Sequence, residues 1–423
     1  MKRFLAGILG ISILSLTTPG FADVSELSAL KEQVDKLNNR ISQLESQAAE
    51  RPTNVVPAAP ASSGNAIEGA ISGIKMTGFV DTAYHWNFHN PPHVAPAGTT
   101  VDRNQSMGVF DTTSNSFDVH AVELAFEKVA PDAGGVGFRT DILYGEDAKV
   151  INSGGTEADE FDFEQAYVEA KLPVMGSPLD IKAGKFVTLS GAEVIEAKDD
   201  WNTTRSLLFG YAIPFTHTGI RAAYGLWDGK VTLTTGLNNG WDLVDDNNNF
   251  KTWEGQIALK PNDALLLTAT TYIGPENLNQ SGHGRQLYDF VALWNATKKL
   301  SLMANMDFGT EDRVVGGPKP FRNADWYGFA FYGRYQTTDK LAFASRIEYF
   351  LDDDTFRVGT GALQNAVDPR ERHYWEWTLT SEYKLYTNLI SRLEYRYDWS
   401  DAPIFDANSH QSTVSAQLIY NFA

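Results

Sequence analysis

The feature that most constrains this chain is an alternation of period two that begins near residue 73 and continues to the C-terminus. In residues 77–86, Gly78, Val80, Thr82, Tyr84 and Trp86 share one face, and Thr77, Phe79, Asp81, Ala83 and His85 share the other. Side chains of a strand point alternately to its two faces, so the pattern describes strands that meet two different environments. Similar runs lie near 117–128, 136–145, 161–172, 179–188, 215–227, 230–238, 252–260, 264–273, 286–296, 299–308, 326–336, 340–351, 373–384, 388–399 and 411–422, sixteen in all. They average about a dozen residues, against roughly 5–6 in soluble sheets and the roughly 9–11 that a tilted strand needs to cross a membrane.

The connections sharpen this. Trp227-Asp228-Gly229-Lys230, Lys260-Pro261-Asn262-Asp263, Asn295-Ala296-Thr297-Lys298 and Thr337-Thr338-Asp339-Lys340 read as tight turns. They alternate with long polar loops near 88–116, 146–160, 189–214, 239–251, 274–285, 309–325, 352–372 and 400–410. Tight turns on one rim and long loops on the other is the arrangement of an outer-membrane barrel. The faces agree: Leu389, Leu393, Tyr395, Tyr397 and Trp399 alternate with Arg392, Glu394, Arg396 and Asp398. Four charges in a row cannot enter a dry core, whereas a water-filled lumen accepts them. The expected fold is therefore all-β: a transmembrane antiparallel β-barrel of about sixteen strands over residues 73–423, closed so that no sheet edge meets lipid. An even strand number puts both barrel ends on the side of the tight turns, the periplasmic side.

The residues before the barrel divide into three. Residues 1–22 carry Lys2 and Arg3, then an apolar stretch over 4–16, then Gly20 and Ala22 before Asp23, the pattern of a cleaved export signal. That stretch is shorter than the roughly 20 residues of a spanning helix. In 23–49, Leu27, Leu30, Val34, Leu37, Ile41 and Leu44 follow the heptad spacing of a short coiled-coil helix, expected in the periplasm. Residues 50–72 are rich in Pro, Ala and Ser and read as an extended tether.

Composition excludes several functions. The absence of cysteine removes disulfide frameworks, thiolate metal sites and cysteine nucleophiles. A net charge of −18 removes phosphate-driven nucleic-acid binding, and a mean hydropathy of −0.28 removes a bundle of membrane helices. No G-x-S-x-G or phosphate-cradling loop is present, so no enzymatic activity and no cofactor or metal is expected. His85, His89 and His93 have helical spacing but lie on a strand end and a Pro-Pro loop, which scatters them. Asp245-Asp246-Asn247-Asn248-Asn249 lacks the Gly and final acid of a calcium loop, since Phe250 and Gln256 stand there.

Ile181-Lys182-Ala183-Gly184-Lys185-Phe186, Gly191-Ala192-Glu193, Pro214-Phe215-Thr216-His217-Thr218-Gly219 and Asn238-Asn239-Gly240-Trp241-Asp242 give the barrel its family character. With these motifs the chain resembles the second β-barrel porin family, OmpL-like, most strongly over 175–245. The resemblance implies an outer-membrane porin that passes small hydrophilic solutes or ions. The heptad extension resembles the N-terminal coiled coils of some sugar-specific porins, which are trimers; its own Val and Ile at one core position with Leu at the other suit a dimer. Expected partners are outer-membrane lipid and lipopolysaccharide, further copies of the chain with a trimer favoured, and the barrel-assembly machinery, which reads the terminal strand carrying Tyr420 and Phe422. The competing reading is an envelope anchor or adhesin without transport.

A sixteen-stranded barrel holds an aqueous channel, so selectivity lies in what narrows it. Porins commonly fold the third long loop inwards. Here it offers Glu193, Glu196, Asp199, Asp200 and Arg205 as a constriction, expected to face Arg139, Arg221, Arg334, Arg346, Arg392 and Arg396 on the wall, with Glu394 and Asp398 among them. Trp201, Trp241 and Trp326 are candidates for a sugar slide or for rim anchors.

Overall fold

The computed structural model describes residues 73–91, 105, 107–153, 160–174, 176–312, 323–358 and 372–422. The expected signal, heptads and tether lie outside these residues. Half of the wall is β1 (Lys75–Asn87), β2 (Ser116–Lys128), β3 (Gly135–Tyr144), β4 (Phe161–Val174), β5 (Ser177–Val187), β6 (Thr216–Leu226), β7 (Val231–Asn238) and β8 (Thr252–Asn262). The other half is β9 (Leu265–Gly274), β10 (Arg285–Trp294), β11 (Leu300–Glu311), β12 (Ala324–Gln336), β13 (Leu341–Asp352), β14 (Arg372–Tyr386), β15 (Leu389–Ser400) and β16 (His410–Phe422). Each strand pairs antiparallel with its chain neighbours, and β1 pairs with β16 from Gly78↔Phe422 to Asn87↔Thr413, closing the barrel. All sixteen strands fall within a few residues of the runs read from the sequence.

The period-two pattern sorts the two faces. On β11, Leu302, Met306 and Phe308 are exposed to the outside while Asn305 and Asp307 are buried inside. On β15, Leu393 is exposed outside, and Arg392, Glu394, Arg396 and Asp398 are buried within the lumen. Aromatic rings collect near both rims, as interfacial girdles do. At the long-loop rim, Trp375 and Trp399 stack across paired strands with centroids 6.0 Å apart; at the other rim Trp227, Trp294 and Tyr386 stand exposed.

The rims differ as expected. Between β6 and β7 the chain reverses in four residues, with φ of 52° at Trp227, 58° at Asp228 and 78° at Gly229. This left-handed path costs glycine little and other residues more. Among the described residues four short pieces interrupt the long loops: a helix α1 (Glu146–Ile151), helical turns at Ala197–Asp199 and Asp353–Thr355, and a π turn at Leu208–Ala212. No described helix is long and apolar enough to cross a membrane.

Candidate pore constriction

The third long loop, residues 188–215, runs inside the barrel. Irregular backbone there has no sheet ladder to satisfy its N–H and C=O groups, so the wall must do it. The loop enters beside β8 to β10: Leu189 N donates to the Tyr272 hydroxyl at 2.9 Å, Gly191 N to Asp289 Oδ2 at 3.2 Å, and Gln256 Nε2 to Leu189 O at 2.9 Å.

At β13 to β15 it is held by charge. Glu394 accepts from Thr203 N at 2.6 Å, Thr204 N at 2.9 Å and the Thr204 hydroxyl at 2.6 Å. Glu348 accepts from Leu207 N at 2.7 Å and Leu208 N at 3.2 Å. The guanidinium groups take the carbonyls: Arg346 donates to Thr204 O at 2.8 Å, Arg392 to Ala197 O at 2.7 Å and Asp200 O at 2.6 Å, and Arg396 to Arg205 O at 2.6 Å. Charge-assisted bonds of this kind are about twice as strong as neutral ones.

The expected confrontation of loop acids with wall arginines holds at one place. Glu193 Oε1 lies 2.6 Å from Arg346 Nη1. Asp200 pairs instead within the loop, 3.0 Å from Arg205 Nε, and Asp199 sits beside Lys198. Arg205 faces inward on its own loop, donating to Val194 O at 3.0 Å and Thr203 O at 3.2 Å. Glu196 turns towards Glu123 and Glu164, and burial holds its carboxyl above the usual carboxylate range.

The remaining wall arginines are paired by acids of the wall. Arg139 bonds Asp141 at 2.8 Å, Arg221 makes a two-pronged contact with Glu254 at 2.6 and 3.0 Å, and Arg334 reaches Glu382 at 2.8 Å. Arg392 also bonds Glu382 at 3.0 Å, and Arg396 bonds Asp398 at 2.8 Å. These acids are supplied by the wall itself, along one strand as at Arg139 and Asp141 or across the register of neighbouring strands as at Glu382↔Arg392, while Arg392 and Arg396 reach the loop as well.

The tryptophans are not arranged as a slide. Trp241 and Trp326 are buried and meet edge to face at 6.1 Å, and Trp326 Nε1 donates to Ala212 O at 3.0 Å. They belong to an apolar cluster at the long-loop end, with Phe110, Phe209, Phe215 and Phe350. Trp201 packs on Tyr332 at 6.5 Å. His85 faces the lumen, 2.9 Å from His120, and His89 meets His410 edge to face, so the histidine spacing brings no cluster together; His93 lies outside the described residues. Asp352 caps its own loop, accepting from Arg357 N and Val358 N.

Sequence reasoning missed His120 and Glu164. Both sit where the register slips, between Asp81 and Thr82 for β1–β2 and between Asp141 and Ile142 for β3–β4. Each bulge turns two consecutive side chains inward.

A closed sixteen-stranded antiparallel barrel with a lipid-facing apolar belt, a charged lumen and an infolded third loop defines an outer-membrane porin. The chain belongs to the family described as Putative beta-barrel porin-2, OmpL-like, whose pattern matches residues 73–422. No curated protein matches it by sequence. Among solved structures, the channel DcaP of Acinetobacter baumannii is similar at 12% identity and a TM-score of 0.54, covering 82% of this chain and 97% of that one. An anion-selective porin from Comamonas acidovorans is similar at 13% identity and a TM-score of 0.52, covering 82% and 99%. OmpT of Vibrio cholerae, in a trimer form, is similar at 10% identity and a TM-score of 0.52, covering 82% and 99%.

Proposed function

We propose that this porin passes small hydrophilic solutes or ions by passive diffusion, with its narrowest passage bounded by the third long loop. The observation that carries this reading is the loop's attachment to the lumen wall at two separate places, at Tyr272 and Asp289 on β9 and β10 and at Glu348 and Glu394 on β13 and β15. Glu193, Glu196, Asp199, Asp200 and Arg205 then border the passage. Arg139, Arg221, Arg334, Arg346, Arg392, Glu394, Arg396 and Asp398 form the polar wall around it. Most wall arginines are neutralised by wall acids, and Glu193, Asp199 and Asp200 each lie beside a basic group, so Glu196 is the loop acid left to set the field, and a mild preference for cations follows. Planar-bilayer recording of Glu196→Ala/Asp199→Ala tests this. Altered conductance and ion preference are expected; unchanged values of both would overturn the assignment.

The apolar cluster at the long-loop end favours one competing reading, a barrel that anchors the envelope and passes little. Liposome swelling separates the two, since an anchor admits no sugar. The channel reading assigns no catalytic step to the chain.

We also assign residues 1–22 to an export signal, 23–49 to a periplasmic coiled coil and 50–72 to a tether, with lipopolysaccharide around the outer rim and the terminal strand as the assembly signal. A trimer is supported by the small outward side chains of β4 to β6. There Ala170, Ala183 and Ala222 neighbour Ile181 and Ile220, where β12 to β14 present Phe329, Phe331 and Trp377.

A further inference from the structure

Glu123 on β2, Glu164 on β4 and Glu196 on the infolded loop each bring a carboxylate oxygen within 4.8 Å of the other two. The arrangement is built by the backbone. In β3–β4 pairing, Asp141 faces Gln165 and Ile142 faces Phe163, so Glu164 is the extra residue of a bulge. Phe163 points outward at 45% exposure while Glu164, at 0%, and Gln165 both turn inward. Bulges re-aim side chains in this way and are frequent beside functional sites.

A second observation concerns hydrogen bonding. Neither carboxylate oxygen of the fully buried Glu164 has a hydrogen-bond partner, and Glu123 Oε2 has none either. This contrasts with Glu254, Glu348, Glu382 and Glu394, which all accept from named donors. The cations nearby are engaged elsewhere: Arg139 bonds Asp141, and Lys198 bonds Asp199. An unpaired buried carboxylate is costly, and three together add mutual repulsion. The donors are all oxygen, with no imidazole or thiolate, which suits a hard cation.

We propose that Glu123, Glu164 and Glu196 form a divalent-cation site of the calcium class that fastens the infolded loop to the wall at β2 and β4. The site stands on this carboxylate geometry and does not depend on which solute the barrel passes. It would add an attachment to β2 and β4, one residue before the point where Arg392 of β15 takes the Ala197 carbonyl.

The test is ⁴⁵Ca²⁺ equilibrium dialysis on the full chain, refolded in detergent free of lipopolysaccharide and stripped with chelator. Wild-type protein is expected to bind about one ion per chain, and Glu164→Gln and Glu196→Gln to weaken binding at least about tenfold. Glu196 lies outside the strand ladder, so its variant remains informative if Glu164→Gln does not fold; heat-modifiable migration on gels reports folding. Asp245→Asn/Asp246→Asn on an outer loop is expected to bind as wild type. Folded wild-type protein that binds no more Ca²⁺ than Glu123→Gln/Glu164→Gln overturns the proposal, as does loss of binding only in the outer-loop variant.

Discussion

Glu394→Gln is the sharpest probe of how the infolded loop is held. Glu394 is 2% exposed and accepts four hydrogen bonds, from Thr203 N, Thr204 N, the Thr204 hydroxyl and the Thr380 hydroxyl, all between 2.6 and 2.9 Å. Glutamine keeps the shape and one acceptor oxygen, but its amide nitrogen presents hydrogens to donors. Bonds to a charged acceptor contribute about 1.5–3 kcal/mol each, and a buried donor left unmet costs a further share. Discounting for relaxation and non-additivity, the attached state loses about 3 kcal/mol, which shifts the attached-to-detached ratio by roughly a hundredfold. The sheet ladder is untouched, so the barrel still folds and migrates as heat-modifiable protein. Single-channel recording should then show excess open-channel noise and added subconductance levels. Trypsin should cut at Lys198, part-exposed on this loop, faster than in wild type. Wild-type noise together with wild-type cleavage would refute the idea that wall charges hold the loop.

Arg346→Met leaves Glu193 and Glu376 without their guanidinium partner. Breaking such a buried pair costs about 3–5 kcal/mol, so the temperature of gel-shift conversion should fall, and Glu193→Gln should restore part of it. Burial pushes the Glu276 carboxyl up from 4.5 to about 7, against the opposing effect of Arg285. Folding therefore favours its protonated form, and its contribution is full below pH 4.5 and lost as pH rises through about 7. Protection of the Trp241 amide, which donates to Glu276 at 2.9 Å, should fall between about pH 5 and 8 after correction for intrinsic exchange. Glu276→Gln should flatten that profile. Deleting residues 23–72 should leave unitary conductance unchanged, because 73–423 form a compact unit of their own; an altered unitary conductance would refute that independence.

The strands were legible because two signals repeat along the barrel: alternation of faces, and turns that alternate short with long. On β15 the sequence alone placed Leu393 outside and Arg396 inside, since parity needs no knowledge of neighbours. Partnership was not legible. The pairing of Arg221 with Glu254 spans 33 residues and depends on the register of β6, β7 and β8. Strict alternation also breaks at the bulges. Counted from Tyr167, it sends Phe163 inward and Glu164 outward, the reverse of what the slip at Asp141 and Ile142 produces. The loop acids lie between β5 and β6, and their partners are largely backbone groups and loop neighbours, which carry no compositional signature.

The charge of the lumen has a structural explanation that precedes any role in selectivity. A loop lying inside a barrel exposes N–H and C=O groups in sequence, and each needs a partner of opposite polarity at a fixed height. An apolar wall offers none, and a neutral polar wall offers weak ones. Alternating acids and guanidinium groups offer both kinds: Glu348 and Glu394 take the N–H groups of Leu207 and Thr203, while Arg346, Arg392 and Arg396 take carbonyls a residue or more away. These same wall charges neutralise one another across strands where the loop is absent, as at Arg334 and Glu382. A field across the passage therefore arises where loop attachment leaves an acid without a basic partner. By this reasoning the surplus at Glu123, Glu164 and Glu196, rather than the conspicuous row of arginines, is where the lumen draws a cation.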